Sequence, residues 1–177
     1  MILGLDIRSS VCGWSLLDEA ASSFASLGVH TLGRRERLDR ATLSRIDRAH
    51  GLARVVAACA PGCSTIVVER WVPETVRELD AGLAWGTLLG VASMLSPRPR
   101  LLTLDPHGWQ RELSLGRRDM LGDVAYANAQ YVLRGHPRAD EALRRLPPND
   151  REPAIAAAMI ALQGSLRLAK SKRAGQG

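Results

Sequence analysis

The chain of 177 residues is long enough for one domain with a proper core and too short for two large lobes. With 46% hydrophobic and 24% charged residues, it is expected to fold as a soluble globule, which excludes a disordered tail. Lys and Arg outnumber Asp and Glu by 24 to 18, giving a net charge of +6 and a sequence pI near 10.0. Such a charge suits an anionic partner such as nucleic acid, although charge alone does not require one.

The cysteines and the N-terminus bear on the cellular location. Cys12, Cys59 and Cys63 form neither a disulfide framework nor a zinc motif with a second cysteine pair. No basic segment followed by a long apolar run opens the chain, and no stretch approaches the length of a membrane span, about 20 residues. We therefore expect a cytoplasmic protein with no membrane partner, in which the reduced cysteines fill the core.

The first part of the chain predicts three consecutive β-strands. They span residues 1–6, 11–17 and 22–32, and the short links between them favour an antiparallel meander. Apolar residues from Leu43 to Val56 then recur at helical spacing, and the Pro and Gly of residues 60–64 end that helix.

The middle of the chain predicts a strand followed by a helix with a glycine stripe. Residues 64–70 are β-branched and apolar, and a strand reached through a helix usually pairs in parallel. The helix spans about 74–95 and carries Gly82, Gly86 and Gly90 at every fourth position. Because glycine costs helix propensity, the stripe indicates close packing against another backbone, in the core or in a dimer.

The last part completes an α/β domain. Residues 99–106 predict a fifth strand, 107–120 a short helix and a basic loop, and about 120–133 a helix that precedes a polar loop. An Ala-rich helix should start near Pro153 and run toward Leu168, and residues 169–177 form a basic flexible tail. The fold class is therefore one α/β domain over residues 1–168, with a five-stranded mixed sheet, three antiparallel strands then two parallel, flanked by helices.

Two of the predicted strands end on an acid. If the first and fourth strands are parallel neighbours, Asp6 and Glu69 lie at the same edge of the sheet on backbones about 4.8 Å apart. Two ionised carboxylates that close repel each other unless a cation or a proton lies between them. Singly, Asp6 also suits a turn and Glu69 a salt bridge with a neighbouring Arg.

The Ala-rich helix offers a third acid. Asp150, Ala154, Ala157 and Ala161 share one small-residue face, which would let the helix pack close to the sheet and bring Asp150 to the same edge. Asp150 alone would suit a helix cap. Three clustered carboxylates without His or Cys ligands favour Mg²⁺ or Mn²⁺.

Six segments, taken in order, carry a family likeness: "ILGLDIRSSVCGWSLL", "IVVERWV", "AGLAWGTLLG", "LDP", "GRRDM" and "NDREPAIAAAMIAL". They resemble segments of the RuvC family of Holliday-junction resolvases, within the RNase H-like nuclease superfamily. The first resembles "ILGIDPGSxxTGYGVI", the second the fourth-strand segment with the second acid, and the others "LGQARGALL", "YTP", "GRADK" and "DAADALAVAL". The resemblance covers most of the chain and implies an RNase H-like fold with Asp6, Glu69 and Asp150 as catalytic, metal-binding acids.

The same resemblance implies a function. It indicates a homodimeric, Mg²⁺-dependent endonuclease of DNA recombination and repair that resolves four-way junctions by paired nicks and leaves 5′ phosphates. Two Mg²⁺ ions, or Mn²⁺ in their place, are implied per active site, with branched DNA as the partner. The candidate DNA-binding residues are Trp71, which would either stack on a base or fill the core, and Arg111, Arg117 and Arg118, which would bind phosphates.

Departures from the family pattern leave alternatives open. The fourth acid falls on Pro153; Glu152 is adjacent, but on a continued helix it points about 200° away from Asp150. It therefore substitutes only if the helix starts at Pro153 and the preceding turn is rearranged. The supporting lysines fall on Gln110 and Met120, and "IRS" replaces "PGS" after Asp6. A weak or inactive branched-DNA-binding module, or a nuclease acting on RNA or other branched DNA, stays open, as does a role in proton transfer for His107.

Overall fold

The computed structural model describes residues 1–8, 10–32, 41–69, 78–105, 108–113 and 123–174. The strands are β1 (Ile2–Ile7), β2 (Val11–Asp18), β3 (Ser23–Thr31), β4 (Thr65–Glu69) and β5 (Arg100–Leu104). The helices are α1 (Ala41–Cys59), α2 (Glu78–Met94), α3 (Gly108–Leu113), α4 (Asp123–Arg134), α5 (Pro137–Arg145) and α6 (Pro148–Ala174).

The strands form one mixed sheet in the order β3-β2-β1-β4-β5. The first three are an antiparallel meander, and β4 and β5 continue the sheet in parallel with β1. This arrangement confirms the predicted sheet of three antiparallel and two parallel strands. Parallel strands end at the same side, so β1, β4 and β5 share one edge, here called the carboxyl edge.

Each face of the sheet carries its own apolar core. On one face, Ile2 of β1 and Val67 of β4 pack against α6, α4 and α5. Their neighbours Leu3 and Leu5 pack on the other face, against α1 and α2. Because side chains alternate along a strand, the face that receives α6 also receives the residues after Leu5 and Val68.

Helix α5 replaces the polar loop that the sequence predicts between the last two helices. Its inner side buries Ala139 and Leu143, and its outer side carries the ion pairs Asp140 to Arg144 and Glu141 to Arg145. Pro137 occupies the first turn, where its fixed φ suits a helix. The prediction was wrong because so few apolar residues mark a helix of nine residues.

Helix α6 is longer than predicted at both ends. It starts at Pro148 rather than near Pro153, and it continues through Ala174, so residues 169–174 of the expected tail are helical. Pro153 therefore lies inside the helix, where it removes one backbone hydrogen bond. Pro153 is buried, and its carbonyl group lies against Gly13 of β2.

Among the described residues, nothing packs closely against the glycine stripe of α2. A Cβ atom built on Gly82, Gly86 or Gly90 meets no atom within 4 Å among the described residues. Leu89 and Met94 of the same helix are 46% and 77% exposed. Within the described residues, the expected close backbone contact is therefore not found, and α2 presents an open apolar surface.

None of the described helices is both long and apolar enough to cross a membrane.

Candidate active site

Asp6 and Glu69 lie side by side at the carboxyl edge. The parallel register of β1 and β4 pairs Leu5 with Val68, and each acid is the next residue on its strand. Because Leu5 and Val68 both face α1 and α2, the alternation of side chains directs Asp6 and Glu69 toward the face covered by α6. The structure thus places these two acids as the sequence predicts.

Two glycines allow α6 to approach this edge closely. A Cβ atom on Gly4 would lie 2.3 Å from the Ala157 carbonyl oxygen, and one on Gly13 would lie 2.0 Å from that of Pro153. Gly13 is the sheet partner of Asp6. The helical turn at Pro153 therefore lies directly beside the first acid.

Buried small residues extend this contact along the helix. Ala154, Ala157 and Ala161 have no exposed surface, as the predicted small-residue face requires. The buried Ser15 hydroxyl of β2 donates a hydrogen bond of 2.9 Å to the Ala157 carbonyl oxygen. This contact ties α6 to β2, beside the Gly4 and Gly13 contacts.

The guanidinium of Arg8 joins three elements at the carboxyl edge. Its Nε donates to Asp6 Oδ2 at 2.7 Å, its Nη1 to Glu152 Oε1 at 2.9 Å and its Nη2 to the Tyr126 hydroxyl oxygen at 3.0 Å. We call these four residues the Arg8 cluster. It connects β1, the start of α6 and α4.

Arg8 and Tyr126 of the cluster keep their protonation states over a wide pH range. Burial lowers the pKa of Arg8, but the charge of Asp6 and the hydrogen bonds to Asp6 and Glu152 outweigh it, so the pKa is raised. Burial also raises the pKa of Tyr126, against the opposing charge of Arg8. The guanidinium therefore stays charged and the phenol stays neutral.

Tyr126 is itself held by α3. Its ring stands edge-on to Trp109, with 5.1 Å between the ring centroids and an interplanar angle of 82°. Trp109 is 3% exposed and belongs to the apolar core, so it is a packing residue. The Asn128 side chain of α4 also donates to the Leu113 carbonyl oxygen at 2.7 Å. Contacts between α3 and α4 thus hold in place the Tyr126 hydroxyl, which accepts the hydrogen bond from Arg8.

Asp150 is in the first turn of α6, half-buried, but outside the Arg8 cluster. Its side chain makes no hydrogen bond or ion pair within the described ranges. Across those ranges, no group of three or more His, Cys, Asp or Glu side chains is placed to hold a metal ion. The helix brings Asp150 to the correct end of the sheet without joining it to Asp6 and Glu69.

Glu152, 53% exposed at its side chain, takes the place beside Asp6 instead. We predicted that it substitutes for the fourth acid only if the helix starts at Pro153. That condition is not met, because α6 starts at Pro148; Glu152 is instead linked to Asp6 through the guanidinium of Arg8. The angle between Glu152 and Asp150 on a continuous helix explains why only one of them joins the cluster.

Most of the predicted DNA-binding residues lie outside the described ranges: Trp71, Arg117 and Arg118, together with His107 and Met120. Arg111 is described and exposed in the last turn of α3, and Gln110 beside it is half-buried. Helix α3 follows β5 almost directly, with the Gly108 amide donating to the Asp105 carbonyl oxygen at 3.1 Å. Arg111 therefore follows, within a few residues, the end of β5 at the carboxyl edge.

The sequence interpretation missed Arg8 and Tyr126 as members of the site. The signal for Arg8 was the replacement of "PGS" by "IRS" after the first acid, which puts a cation two residues from Asp6. No comparable signal marks Tyr126, because its contacts depend on how α4 packs.

Comparisons with known proteins identify the fold. No protein-family model matches the sequence, and no curated protein matches it significantly. RuvC from Thermus thermophilus matches with a TM-score of 0.55 and 16% identity over 90% of this chain and 91% of that one. RuvC from T. thermophilus in complex with a Holliday junction substrate gives 0.57 and 16%, over 91% and 89%.

The yeast mitochondrial Holliday junction resolvase also matches, with a TM-score of 0.58 and 16% identity over 90% of this chain and 75% of that one. The chain therefore has the RNase H-like fold of these proteins, which confirms the predicted fold class.

Proposed function

We propose that this chain is a RuvC-type, metal-dependent endonuclease that resolves four-way (Holliday) DNA junctions by paired nicks. One observation carries the proposal: Asp6 and Glu69 end adjacent parallel strands under the start of α6, in a fold shared with junction resolvases. Solved structures of that fold include RuvC bound to a Holliday junction substrate.

The chemistry of the edge suits a hard divalent cation. Asp6 and Glu69 offer carboxylate oxygens from neighbouring strand ends, which is the donor type that Mg²⁺ and Mn²⁺ prefer. These two residues would hold the ion; the resemblance assigns Asp150 as a third ligand, but the described residues do not bring it into the same group as Asp6 and Glu69. When bound, such an ion activates a water and stabilises the departing 3′ oxygen, which leaves a 5′ phosphate.

Positive charge around the edge supports binding to a phosphate backbone. The chain has a net charge of +6, Arg111 is exposed on α3, and the end of α6 exposes Lys170, Lys172 and Arg173. Trp71, Arg117 and Arg118 complete the proposed DNA-binding set. Because such binding releases counterions, junction affinity should fall steeply as salt rises.

The open face of α2 supports a homodimer. It exposes Leu83, Leu89 and Met94 beside three glycines that leave room for a second helix. Exposed apolar surface of this kind is typical of an interface, and the same surface on two copies makes a two-fold contact. Such a dimer presents two active sites to opposite strands, which paired nicks require.

The proposed setting is DNA recombination and repair in the cytoplasm. A DNA substrate and three cysteines that form no disulfide fit that location.

The proposal is tested with an end-labelled four-way junction and a linear duplex of the same sequence, in Mg²⁺ and then Mn²⁺. We expect symmetrical nicks in the junction and an uncut duplex. Asp6→Asn should bind the junction without nicking it, whereas the exposed control Asp47→Asn on α1 should nick normally. Equal cutting of both DNAs, or unchanged nicking by Asp6→Asn, would contradict the proposal.

A further inference from the structure

Arg8 occupies the position of a cation between two acids. Its guanidinium bridges Asp6 of β1 and Glu152 of α6, at 2.7 and 2.9 Å. Acids from these same two elements are what a bridging metal ion at this edge would need. Here the guanidinium of Arg8 already supplies a fixed positive charge between the two acids.

The guanidinium is held rather than loosely paired. Each of its three nitrogens has a separate partner, and one partner is the neutral Tyr126 hydroxyl braced on Trp109. A metal ion that competes for the carboxylates does not compete for a protonated phenol. The contact with Tyr126 therefore favours a guanidinium that stays in the site.

Arg8 also retains donors for a ligand. A guanidinium has five N–H groups in a planar fork, and three of them are used by partners within the described ranges. The side chain remains 34% exposed. The remaining pair of N–H groups, on a half-buried cation beside Asp6, suits the oxygens of a phosphodiester.

We propose that Arg8 is a catalytic residue that binds the scissile phosphate in place of one metal ion. The site then takes one divalent cation per protomer, at Asp6 and Glu69, instead of the two that the family resemblance implies. This inference rests on the proposed nuclease function for its phosphate, but the ion count stands apart from catalysis.

The ion count is measured by titrating the whole protein with Mn²⁺ and following free Mn²⁺ by electron paramagnetic resonance. We expect one bound Mn²⁺ per protomer in the wild type and in Arg145→Gln, an exposed control on α5. Arg8→Gln should bind two, because it removes the positive charge that Asp6 and Glu152 share. Two ions in the wild type, or one ion in Arg8→Gln, would overturn the substitution.

Catalysis is measured in single turnover on a preformed complex with a four-way junction. At a divalent-ion concentration that fills only the first ion site, Arg8→Gln should cleave about 100-fold more slowly while binding the junction within about threefold of wild type, as expected for a group that acts on the transition state. Arg8→Lys should recover only part of the rate, because an ammonium lacks the planar fork. A cleavage rate equal to that of the wild type in Arg8→Gln would overturn the catalytic role.

A milder variant tests the role of Arg8 if Arg8→Gln does not fold. Tyr126→Phe keeps the ring packed on Trp109 and removes only the hydroxyl that receives Arg8, so the rate should fall by about three- to tenfold with unchanged junction affinity. No change in rate would contradict a positioned guanidinium. If the wild type bound one Mn²⁺ and Arg8→Gln two, but neither cut DNA, the ion count would hold and the nuclease proposal would fail.

Discussion

Asp6 and Glu152 come from opposite ends of the chain, yet the carboxylates of both pair with the guanidinium of Arg8, at 2.7 and 2.9 Å. This relationship ties the end of β1 to the start of α6. The first and last elements of the fold are thus connected at the carboxyl edge. Because this connection includes Asp6, a change in it should affect both the stability of the protein and the chemistry of the site.

Replacing Arg8 should destabilise the protein more than replacing an exposed arginine. Arg8→Gln removes a charge that two acids share, and we expect a loss of about 1–2 kcal/mol in the free energy of unfolding, measured by urea denaturation. Arg145→Gln, whose partner Glu141 is one helical turn away, should cost less than about 0.5 kcal/mol. Equal losses would show that the Arg8 cluster adds no more than a surface pair.

The contribution of Arg8 should persist at alkaline pH. Its pKa is raised in the folded protein, so its stabilisation is complete below the ordinary pKa of arginine and is lost only as the pH rises through the raised value. The stability difference between wild type and Arg8→Gln should therefore be constant from about pH 7 to about pH 10. A difference that shrinks within this window would assign the stabilisation to another group.

A methyl group at Gly13 should disturb the site through the helix. The added Cβ of Gly13→Ala would lie 2.0 Å from the Pro153 carbonyl oxygen, so α6 must shift away from Asp6. We expect a loss of about 1–3 kcal/mol in unfolding free energy and a slower cleavage step. Gly86→Ala has open space and should not lower the stability of the monomer at high dilution.

A charge on the open face of α2 should prevent the proposed dimer. Leu89→Arg is expected to sediment as a monomer and to nick a junction on one strand at a time, because two active sites no longer act together. Tyr131→Arg on α4 is the control, since Tyr131 is also exposed, at 74%, but lies on another helix. A dimeric Leu89→Arg protein would place the interface elsewhere.

The cysteines should be slow to react. Burial, together with the nearby Cys63, raises the pKa of Cys59 to about 11, and burial also raises the pKa of Cys63. The thiolate fraction of Cys59 near neutral pH should be about 100-fold below that of an ordinary thiol. Iodoacetamide labelling followed by mass spectrometry should show rates that rise through alkaline pH, and rapid labelling of Cys59 at neutral pH would contradict this.

The strands and the two strand-end acids were predictable because their signals are local. Alternation and β-branching identify β1 and β4, and the parallel pairing that follows from the helical crossover places Asp6 beside Glu69. The small face of α6 was also readable, since Ala154, Ala157 and Ala161 recur at helical spacing.

The rest depends on contacts between distant parts of the chain. Arg8 meets Glu152 across 144 positions, and no local pattern announces such a pair. The start of α6 was misjudged because Pro148 and Pro153 both suit a first turn, and only the packing of Pro153 on Gly13 decides between them. The stripe at Gly82, Gly86 and Gly90 marks room for a close neighbour, but its period does not identify that neighbour.

In the proposed function, Asp6 serves a junction-resolving active site that acts in pairs. The most direct measurement uses a supercoiled plasmid that extrudes a cruciform, incubated with wild type and with Asp6→Asn in Mg²⁺. Paired nicks across the cruciform should convert the plasmid to linear DNA with the wild type, and Asp6→Asn should leave it supercoiled. A plasmid left intact by the wild type, or cut equally by Asp6→Asn, would contradict the account.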